Sequence, residues 1–255
     1  MTILPHELTP APPGWRIHPL AADITAMVSG QRAMLAGALT AEIDAHWLAA
    51  QAESGGALFN GAVLSVDEIT PALLRGHMTE YRRVLAQLRA PALFEALHLR
   101  PLAVCGVLLS PDGVVLGRRQ RAAIYQSGMW QAPPAGNVDA RALRPSGEVD
   151  LRCQLLTELR EELGLTRDAV HAIRPIALVE HGATHVLDLG FLLTTPLPFT
   201  TIAAIHAGEG NEEYDMLRVV PLAALPDFLT RMAAEIVPSV PIFLAAAGLL
   251  GTAAR

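Results

Sequence analysis

Apolar and polar residues follow a helical period in the first third of the chain. From Ile24 to Ala52 the sequence is rich in alanine, and its large apolar residues recur every three or four positions, as on one face of a helix. Residues 53–69 break this pattern at a glycine pair and continue into a β-rich stretch, and 71–89 return to a helical pattern. Residues 1–15 are rich in proline and predict an irregular surface segment. We expect an α-rich N-terminal region over 1–98.

A different pattern begins after this region. Two β-rich runs, 103–109 and 114–117, flank the turn sequence Pro-Asp-Gly, which predicts a β-hairpin. Three more strands are predicted, over 174–180, 185–195 and 216–222. Strands followed by helices that pack on them predict a second domain over 99–255 of the α+β or α/β class, with a mixed sheet sandwiched by helices.

A long loop and a helix lie between the hairpin and these later strands. The loop, 127–147, is rich in glycine, proline and alanine. We predict a helix from about Asp150 to Leu163, because Gly164 supplies the left-handed residue that ends such helices. Four leucines share one face of this helix and are expected to pack on the sheet: Leu155, Leu156, Leu159 and Leu163.

Three glutamates occupy another face of the same helix. Glu158, Glu161 and Glu162 are three and four positions apart, so their side chains converge. Like charges this close repel each other by about 0.2–0.5 kcal/mol per pair. Solvent, a cation, or the nearby Arg152 and Arg160 would offset that repulsion. Hard cations such as Mg²⁺ take oxygen ligands, so the pattern suits either an exposed acidic face or a metal site.

The composition narrows the class of protein. Of 255 residues, 51% are apolar and only 17% are charged, which provides a core for one large domain or two small ones. The net charge is −6 and no basic block is present, so nucleic acid is a poor candidate partner. The two cysteines make neither a disulfide framework nor a zinc site, which favours a cytoplasmic setting. No signal peptide is expected, and the apolar stretch 240–251 is too short to cross a membrane and predicts a buried helix.

The order of these features resembles a known family. A hairpin ending in Leu-Gly-Arg-Arg, the loop WQAPPAGNVD, a Gly-Glu pair, the acidic helix and a Gly-Leu pair follow one another. This order resembles the Nudix hydrolases, whose signature ends in Arg-Glu, an aliphatic residue, any residue, Glu-Glu, any residue, Gly and an aliphatic residue. The second half of the signature is filled without a gap, by Glu158, Leu159, Glu161, Glu162, Gly164 and Leu165. Residues 103–222, just under half of the chain, follow the family's order of elements.

The first half of the signature differs from the family's pattern. Thr157 stands in place of the arginine and Val149 in place of the first glutamate, and in the family those two side chains pair and brace the loop. Glu148 is one position out of register and is a candidate substitute. Gly136 matches the first glycine, but it lies 22 residues before Glu158, so the loop is about seven residues longer than the pattern requires. Because the metal-facing carboxylates are present, we expect a divergent but active enzyme.

A narrower resemblance rests on three features together. They are Phe59-Asn60-Gly61, the α-rich N-terminal region and the long insert after Pro-Pro-Ala-Gly. The combination is similar to the Nudix branch that hydrolyses UDP-glucose and UDP-galactose, and this resemblance makes region 1–98 a candidate substrate-specificity domain. It implies a Mg²⁺-dependent hydrolase, with Mn²⁺ as an alternative metal, that releases UMP and a sugar 1-phosphate. The expected partner is this small-molecule substrate, without nucleic acid or membrane.

The resemblance also assigns roles to acidic residues. Glu158, Glu161 and Glu162 are the expected metal ligands, and Glu162 is in addition a candidate catalytic residue. Glu213 lies in the loop before the last predicted strand, where family members often place a further metal ligand or general base. The alternative for Glu213 is an ordinary mobile acidic loop.

Other candidate residues follow from side-chain chemistry. Arg118 and Arg119 suit diphosphate oxygens through their planar guanidinium groups. Tyr125 or the neighbouring Trp130 could stack on a base or sugar, and Asn60 could read the edge of uracil. With Gly136 these residues complete the substrate-binding set: Asn60, Arg118, Arg119, Tyr125 and Gly136. The structural alternatives are a solvated strand end for the arginines, packing for the aromatic residues and a turn for Asn60.

Two other functions remain open. One is a Nudix hydrolase of ADP-ribose, a dinucleotide or a coenzyme A derivative, because the pocket rather than the signature decides the substrate. The other is a Nudix-like module that binds a nucleotide without cleaving it, which the missing bracing pair favours. His181 and His185 flank a predicted strand and are expected to be ordinary hydrogen-bonded histidines.

Overall fold

The structure, a computed structural model, describes residues 11–30 and 35–250, which contain twelve strands and seven α-helices. The strands are β1 Arg16–His18, β2 Thr25–Val28, β3 Ala62–Ile69, β4 Leu73–Glu80, β5 Leu102–Ser110, β6 Gly113–Arg119, β7 Trp130–Gln131, β8 Ala135–Asn137, β9 Glu148–Val149, β10 Ala172–Glu180, β11 Leu187–Thr194 and β12 Tyr214–Val220. The helices are α1 Gly37–Glu53, α2 Tyr81–Arg89, α3 Phe94–Leu97, α4 Leu151–Leu163, α5 Phe199–Glu209, α6 Leu225–Arg231 and α7 Ser239–Ala246.

Two mixed sheets organise the strands. The larger sheet has the order β1-β10-β11-β5-β6-β12, with β8 paired to β5 and β7 to β6. Only β11 and β5 run parallel in it, and its other pairs are antiparallel. The smaller sheet has the order β3-β4-β2-β9, with β2 and β4 parallel. The mixed α+β class predicted from the sequence is confirmed.

Helices cover both faces of the larger sheet. On one face, the fully buried Leu155, Leu159 and Leu163 of α4 pack in one core cluster with apolar residues of β5 and β11. On the other, Phe228 of α6 and Phe243 of α7 lie in a second cluster. Each fully buried leucine contributes about 2 kcal/mol by leaving water, so the leucine face fixes the rotation of α4. The predicted hairpin, the α4 helix and the buried C-terminal helix are all confirmed.

Region 1–98 contains strands as well as helices. The predicted helix over Ile24–Ala52 is correct for α1 but wrong at its start, where Thr25–Val28 form β2. The predicted helix over 71–89 is correct only for α2, because Leu73–Glu80 form β4. β4 lies between β2 and β3, and the pairing of half-buried strands outweighs their helix propensity.

Strand pairing links the N-terminal region to the rest of the chain. β1 pairs with β10 in the larger sheet, and β2 pairs with β9 in the smaller one. The division into 1–98 and 99–255 stays a prediction. Residues 1–10, which include most of the predicted proline-rich surface segment, and residues 31–34 lie outside the described part. Within residues 11–30 and 35–250, no helix is long and apolar enough to span a membrane.

Candidate functional site

A cleft of about 450 Å³ lies beside α4 and is lined by residues of the inner strands β11, β5 and β6 of the larger sheet. Its volume falls within the range of about 300–1,000 Å³ that is usual for small-molecule sites. Six of the predicted site residues line it: Glu158, Glu162, Glu213, Arg119, Tyr125 and Gly136. The helix, the β6 strand end and two loops therefore converge on one cavity.

Glu162 is the most buried acidic group of the cleft, with 3% of its surface exposed. Its two carboxylate oxygens accept from the backbone N–H of Ala135 at 3.2 and 3.1 Å, and Oε2 also accepts from the hydroxyl of Tyr214 at 3.0 Å. Burial raises the pKa of Glu162 well above its usual value, and the neighbouring charges of Glu158 and Glu213 raise it further. The carboxylate is thus held rigidly in a place where its charge is not neutralised.

Glu158 lies one helical turn before Glu162 and is mostly buried. Its Oε1 accepts from Nε2 of Gln154 at 2.6 Å, and the Arg141 guanidinium lies 3.8 Å away. Burial raises the pKa of Glu158 to about 7, and the charge of Glu161 adds to the effect. Gly136 packs directly against this carboxyl group, because an added Cβ would come within 2.2 Å of its Cδ. A side chain at this position of β8 would therefore displace the carboxyl group of Glu158.

Glu161 does not join the other two glutamates. It is exposed, pairs with Arg141, and lines a separate surface pocket with Arg160 and Thr157. The prediction that all three glutamates face one cleft is therefore wrong for Glu161, because the leucine face of α4 turns it toward solvent. Glu158 and Glu162 remain the pair that the cleft brings together.

The donor set of the cleft suits a hard divalent cation. Glu158 and Glu162 are two desolvated carboxylates that repel each other, and a bound cation would offset both burial and repulsion. Within the described ranges, no group of three or more His, Cys, Asp or Glu is arranged to hold a metal ion. Mg²⁺ is commonly bound by one or two carboxylates together with substrate phosphates and water, which matches this pair.

The two candidate arginines have different positions, since successive side chains of β6 point to opposite faces. Arg119 faces the cleft, where Nη1 lies 2.8 Å from Glu213 Oε1 and donates to Gln131 Oε1 at 2.7 Å. Arg118 points away, pairs with Asp215 at 2.7 Å and lies over the Trp130 ring. Arg118 is therefore not among the residues that line the cleft, and Trp130 is a buried packing residue.

Asn60 lines a second, outer cavity that shares Tyr81, Asn137 and Glu158 with the cleft. Its side-chain amide is already engaged, since Oδ1 accepts from the backbone N–H of Arg82 at 2.9 Å and Nδ2 donates to Glu80 at 3.2 Å. These bonds are those of a turn-stabilising residue. Oδ1 keeps a second lone pair and Nδ2 a second hydrogen, so a contact between Asn60 and uracil stays a prediction.

The sequence missed the contacts that replace the absent brace. Gln154 is buried, donates to Glu158, and accepts from the backbone N–H of Asp139 at 3.3 Å. Arg141, which like Asp139 lies in the loop between β8 and β9, extends toward Glu158 and Glu161. Glu148, the expected substitute, pairs instead with Arg144. Gln154 stands four positions before Glu158, and this helical spacing could have predicted the hydrogen bond between their side chains.

The sequence also missed a second polar group in the cleft. His181 and Asp188 both line it and are buried, and His181 Nε2 lies 2.7 Å from Asp188 Oδ2. Tyr125, predicted to stack on a substrate ring, places its hydroxyl 2.7 Å from His181 Nδ1. The histidine is hydrogen-bonded as expected, but no sequence pattern indicated that it lies in the cavity.

Comparisons with known proteins give weak likenesses. No protein-family model matches the chain, and no curated protein matches it in sequence. It is similar to the solved structure of a NUDIX family hydrolase from Clostridium perfringens, at 16% identity and a TM-score of 0.38 over 58% of this chain and 95% of that one. An Ap4A hydrolase of C. elegans matches at 16% identity and a TM-score of 0.31, over 52% and 96%.

A third solved structure is a bifunctional NMN adenylyltransferase/ADP ribose pyrophosphatase from Francisella tularensis. It matches at 10% identity and a TM-score of 0.40, over 65% of this chain and 47% of that one. The chain thus spans about half the length of that protein. At identities and scores this low, the likenesses assign neither a family nor an activity to this chain.

Proposed function

We propose that this protein is a Nudix-type hydrolase that cleaves the diphosphate bond of a nucleoside diphosphate linked to another group. UDP-glucose or UDP-galactose is the preferred substrate of the proposal, with UMP and a sugar 1-phosphate as products. The observation that carries it is the pair of desolvated carboxylates, Glu158 and Glu162, in one cleft with Arg119. Buried carboxylates whose pKa values are raised by burial and by each other's charge are characteristic of functional sites when they lie in a cleft.

Glu158 and Glu162 would hold the divalent cation, Mg²⁺ or Mn²⁺. When bound, the cation would neutralise diphosphate charge and lower the pKa of a water molecule. Glu161 supports the pair indirectly, because it fixes Arg141, whose guanidinium also approaches Glu158.

The remaining cleft residues bind and orient the substrate in this proposal. Arg119 presents its guanidinium to the cleft, where it suits diphosphate oxygens. Glu213 is the candidate general base, and its ion pair with Arg119 positions it at the same place. Gly136 lets the loop lie directly on Glu158. The free cysteines, buried Cys105 and exposed Cys153, support a cytoplasmic setting.

Incubation with a panel of nucleoside diphosphate compounds tests the proposal. UDP-glucose, UDP-galactose, ADP-ribose, a dinucleotide and a coenzyme A derivative are supplied with Mg²⁺, and released phosphate monoesters are measured. We expect the UDP-sugars to be cleaved fastest, with no release by Glu162→Gln or in excess chelator. Faster cleavage of ADP-ribose would reject the UDP-sugar assignment. Binding without release from any compound would reject the hydrolase and support a nucleotide-binding module.

A further inference from the structure

The hydrogen-bonded series Tyr125–His181–Asp188 lines the same cleft as the glutamate pair. Asp188 belongs to β11 and Arg119 to β6, and β5 lies between these strands. At the level of Asp188, β5 pairs with β8, whereas it pairs with β6 only at its other end, Leu109–Ser110. Arg119 Nε donates to the backbone carbonyl of Tyr125 at 3.2 Å, so the series adjoins the proposed diphosphate-binding end. The proposed reaction gives no task to these three residues.

The series has a defined direction, because Asp188 accepts at its buried end. Burial favours a raised pKa for Asp188, but His181, Ser239 and Cys105 outweigh it and hold this pKa below its usual value. The ionised carboxylate therefore accepts the Nε2–H of His181. In a neutral imidazole the other nitrogen is then an acceptor, so Nδ1 accepts from the Tyr125 hydroxyl at 2.7 Å.

This direction leaves the oxygen of Tyr125 as an acceptor. With its proton directed to His181, the oxygen accepts from the Thr184 hydroxyl at 3.2 Å and keeps one lone pair for a further donor, and Tyr125 is among the residues that line the cleft. Trp15 stacks on the His181 ring with centroids 4.0 Å apart and thereby fixes the imidazole. The Tyr125 side chain is already ordered before a ligand binds, so it loses little conformational entropy when a ligand donates to its oxygen. Such an acceptor favours ligands that carry a hydroxyl at this place over ligands that lack one.

We propose that the Tyr125 hydroxyl, oriented by His181 and Asp188, accepts a hydrogen bond from a hydroxyl of the group attached to the nucleoside diphosphate. This inference rests on the proposed function and specifies its substrate class, namely a sugar rather than a second flat base. Tyr125 is then a specificity-determining residue through its oxygen and not through ring stacking. His181 and Asp188 are positioning residues.

A comparable histidine–carboxylate cluster elsewhere in the molecule provides the control. His18 Nε2 lies 2.9 Å from Glu180 Oε2, and His185 and Arg100 contact the same carboxylate. Neither His18 nor Glu180 is among the residues that line the cleft. A substitution at His18 therefore removes a similar buried bond without touching the cavity.

Calorimetric binding of UDP-glucose and its 2-, 3-, 4- and 6-deoxy analogues, in excess chelator so that no turnover occurs, tests the inference. We expect one analogue to bind the wild-type protein about tenfold more weakly than UDP-glucose, as for the loss of one hydrogen bond. The ratio of the two dissociation constants, that of this analogue to that of UDP-glucose, should fall below about twofold in Tyr125→Phe and should shrink in His181→Gln. His18→Gln should keep the wild-type ratio.

This ratio separates recognition from folding, because a merely structural loss weakens binding of all five compounds equally. Equal binding of all analogues by the wild type, a ratio that survives in Tyr125→Phe, or no binding of any sugar nucleotide would overturn the inference. The same proteins are then assayed for turnover with Mg²⁺. Selective binding without turnover would overturn the hydrolase proposal and leave this inference standing.

Discussion

Glu162 and Glu180 are both buried glutamates, with 3% and 6% of their surfaces exposed, yet their pKa values shift in opposite directions. Burial raises the pKa of Glu162, and nearby Glu158 and Glu213 raise it further. Burial also opposes the charge of Glu180, but hydrogen bonds from His18 and His185 and the charge of Arg100 lower its pKa to about 2. The difference lies in the partners and not in the depth of burial.

The comparison separates a structural role from a functional one. Glu180 is surrounded by cationic and hydrogen-bonding groups, so its charge is satisfied by the fold itself. Glu162 accepts hydrogen bonds only from a backbone N–H and a tyrosine hydroxyl and lies near the carboxylates of Glu158 and Glu213, so the fold does not satisfy its charge. A buried carboxylate without a cationic partner lowers the stability of the fold, and such groups are typical of functional sites.

The largest expected effect is on turnover. Glu162→Gln should reduce hydrolysis at least about 100-fold, because the amide lacks the charge that holds a divalent cation, and such a cation contributes several kcal/mol to catalysis. Its thermal stability should stay equal or rise at neutral pH, since an unsatisfied charge is removed. Steady-state assays and thermal melts measure the two effects. Near-normal turnover of this variant would reject Glu162 as a ligand.

The next effect is on stability and concerns the other glutamate. Glu180→Gln should lower the free energy of unfolding by about 3 kcal/mol, because His18, His185 and Arg100 lose their shared buried carboxylate. Turnover of the folded fraction should remain within about twofold of the wild type. Urea unfolding monitored by circular dichroism gives the free energy. A stable but inactive Glu180→Gln would reverse the assignment of roles.

The two kinds of shift also predict opposite dependences on pH. The pKa of Glu158 is raised from 4.5 to about 7, so its contribution to stability is present below pH 4.5 and is lost as pH rises toward 7. The pKa of Glu180 is lowered from 4.5 to about 2, so its contribution is present above pH 4.5 and is lost as pH falls toward 2. Each change should amount to about 2 kcal/mol after allowance for solvent.

Matched variants isolate these two pH ranges. Unfolding free energies are measured from pH 2 to 8 in chelator, as far as the protein remains folded. Glu158→Gln should flatten the decline above pH 4.5 alone, and Glu180→Gln should flatten the decline below it alone. Adding Mg²⁺ to the wild type at pH 8 should restore stability, as a cation would satisfy the ionised pair. No response to the metal would speak against a cation at Glu158.

The glutamate helix was predictable from sequence because its signals are local. The leucine period, Gly164 at φ 72° and the glutamate spacing all lie within one helix. The smaller sheet was not predictable in the same way. β2 pairs in parallel with β4, Thr25 opposite Leu73, across a long intervening segment, and the alanine-rich local pattern favours a helix there.

The same limit applies within the candidate site. Spacing alone placed Glu161 with Glu158 and Glu162, whereas its exposure depends on how α4 packs against the sheet. Spacing also treated Arg118 and Arg119 alike, although the pleat of β6 sends them to opposite faces. His181 and Asp188 are brought together across the turn between β10 and β11, and no local pattern marks such a pair.

The smallest expected effect is on the kinetic constants of variants of these two arginines, which differ in whether they lie in the cleft. Arg119 neutralises Glu213 inside the cleft, whereas Arg118 pairs with Asp215 outside it. Arg119→Gln should raise KM about tenfold with a smaller change in kcat, since one charge-assisted contact to the diphosphate is lost. Arg118→Gln should change neither constant by more than about twofold, because its surface pair contributes little. If the two variants behave alike in steady-state kinetics, the diphosphate does not bind at the end of the cleft where Arg119 lies.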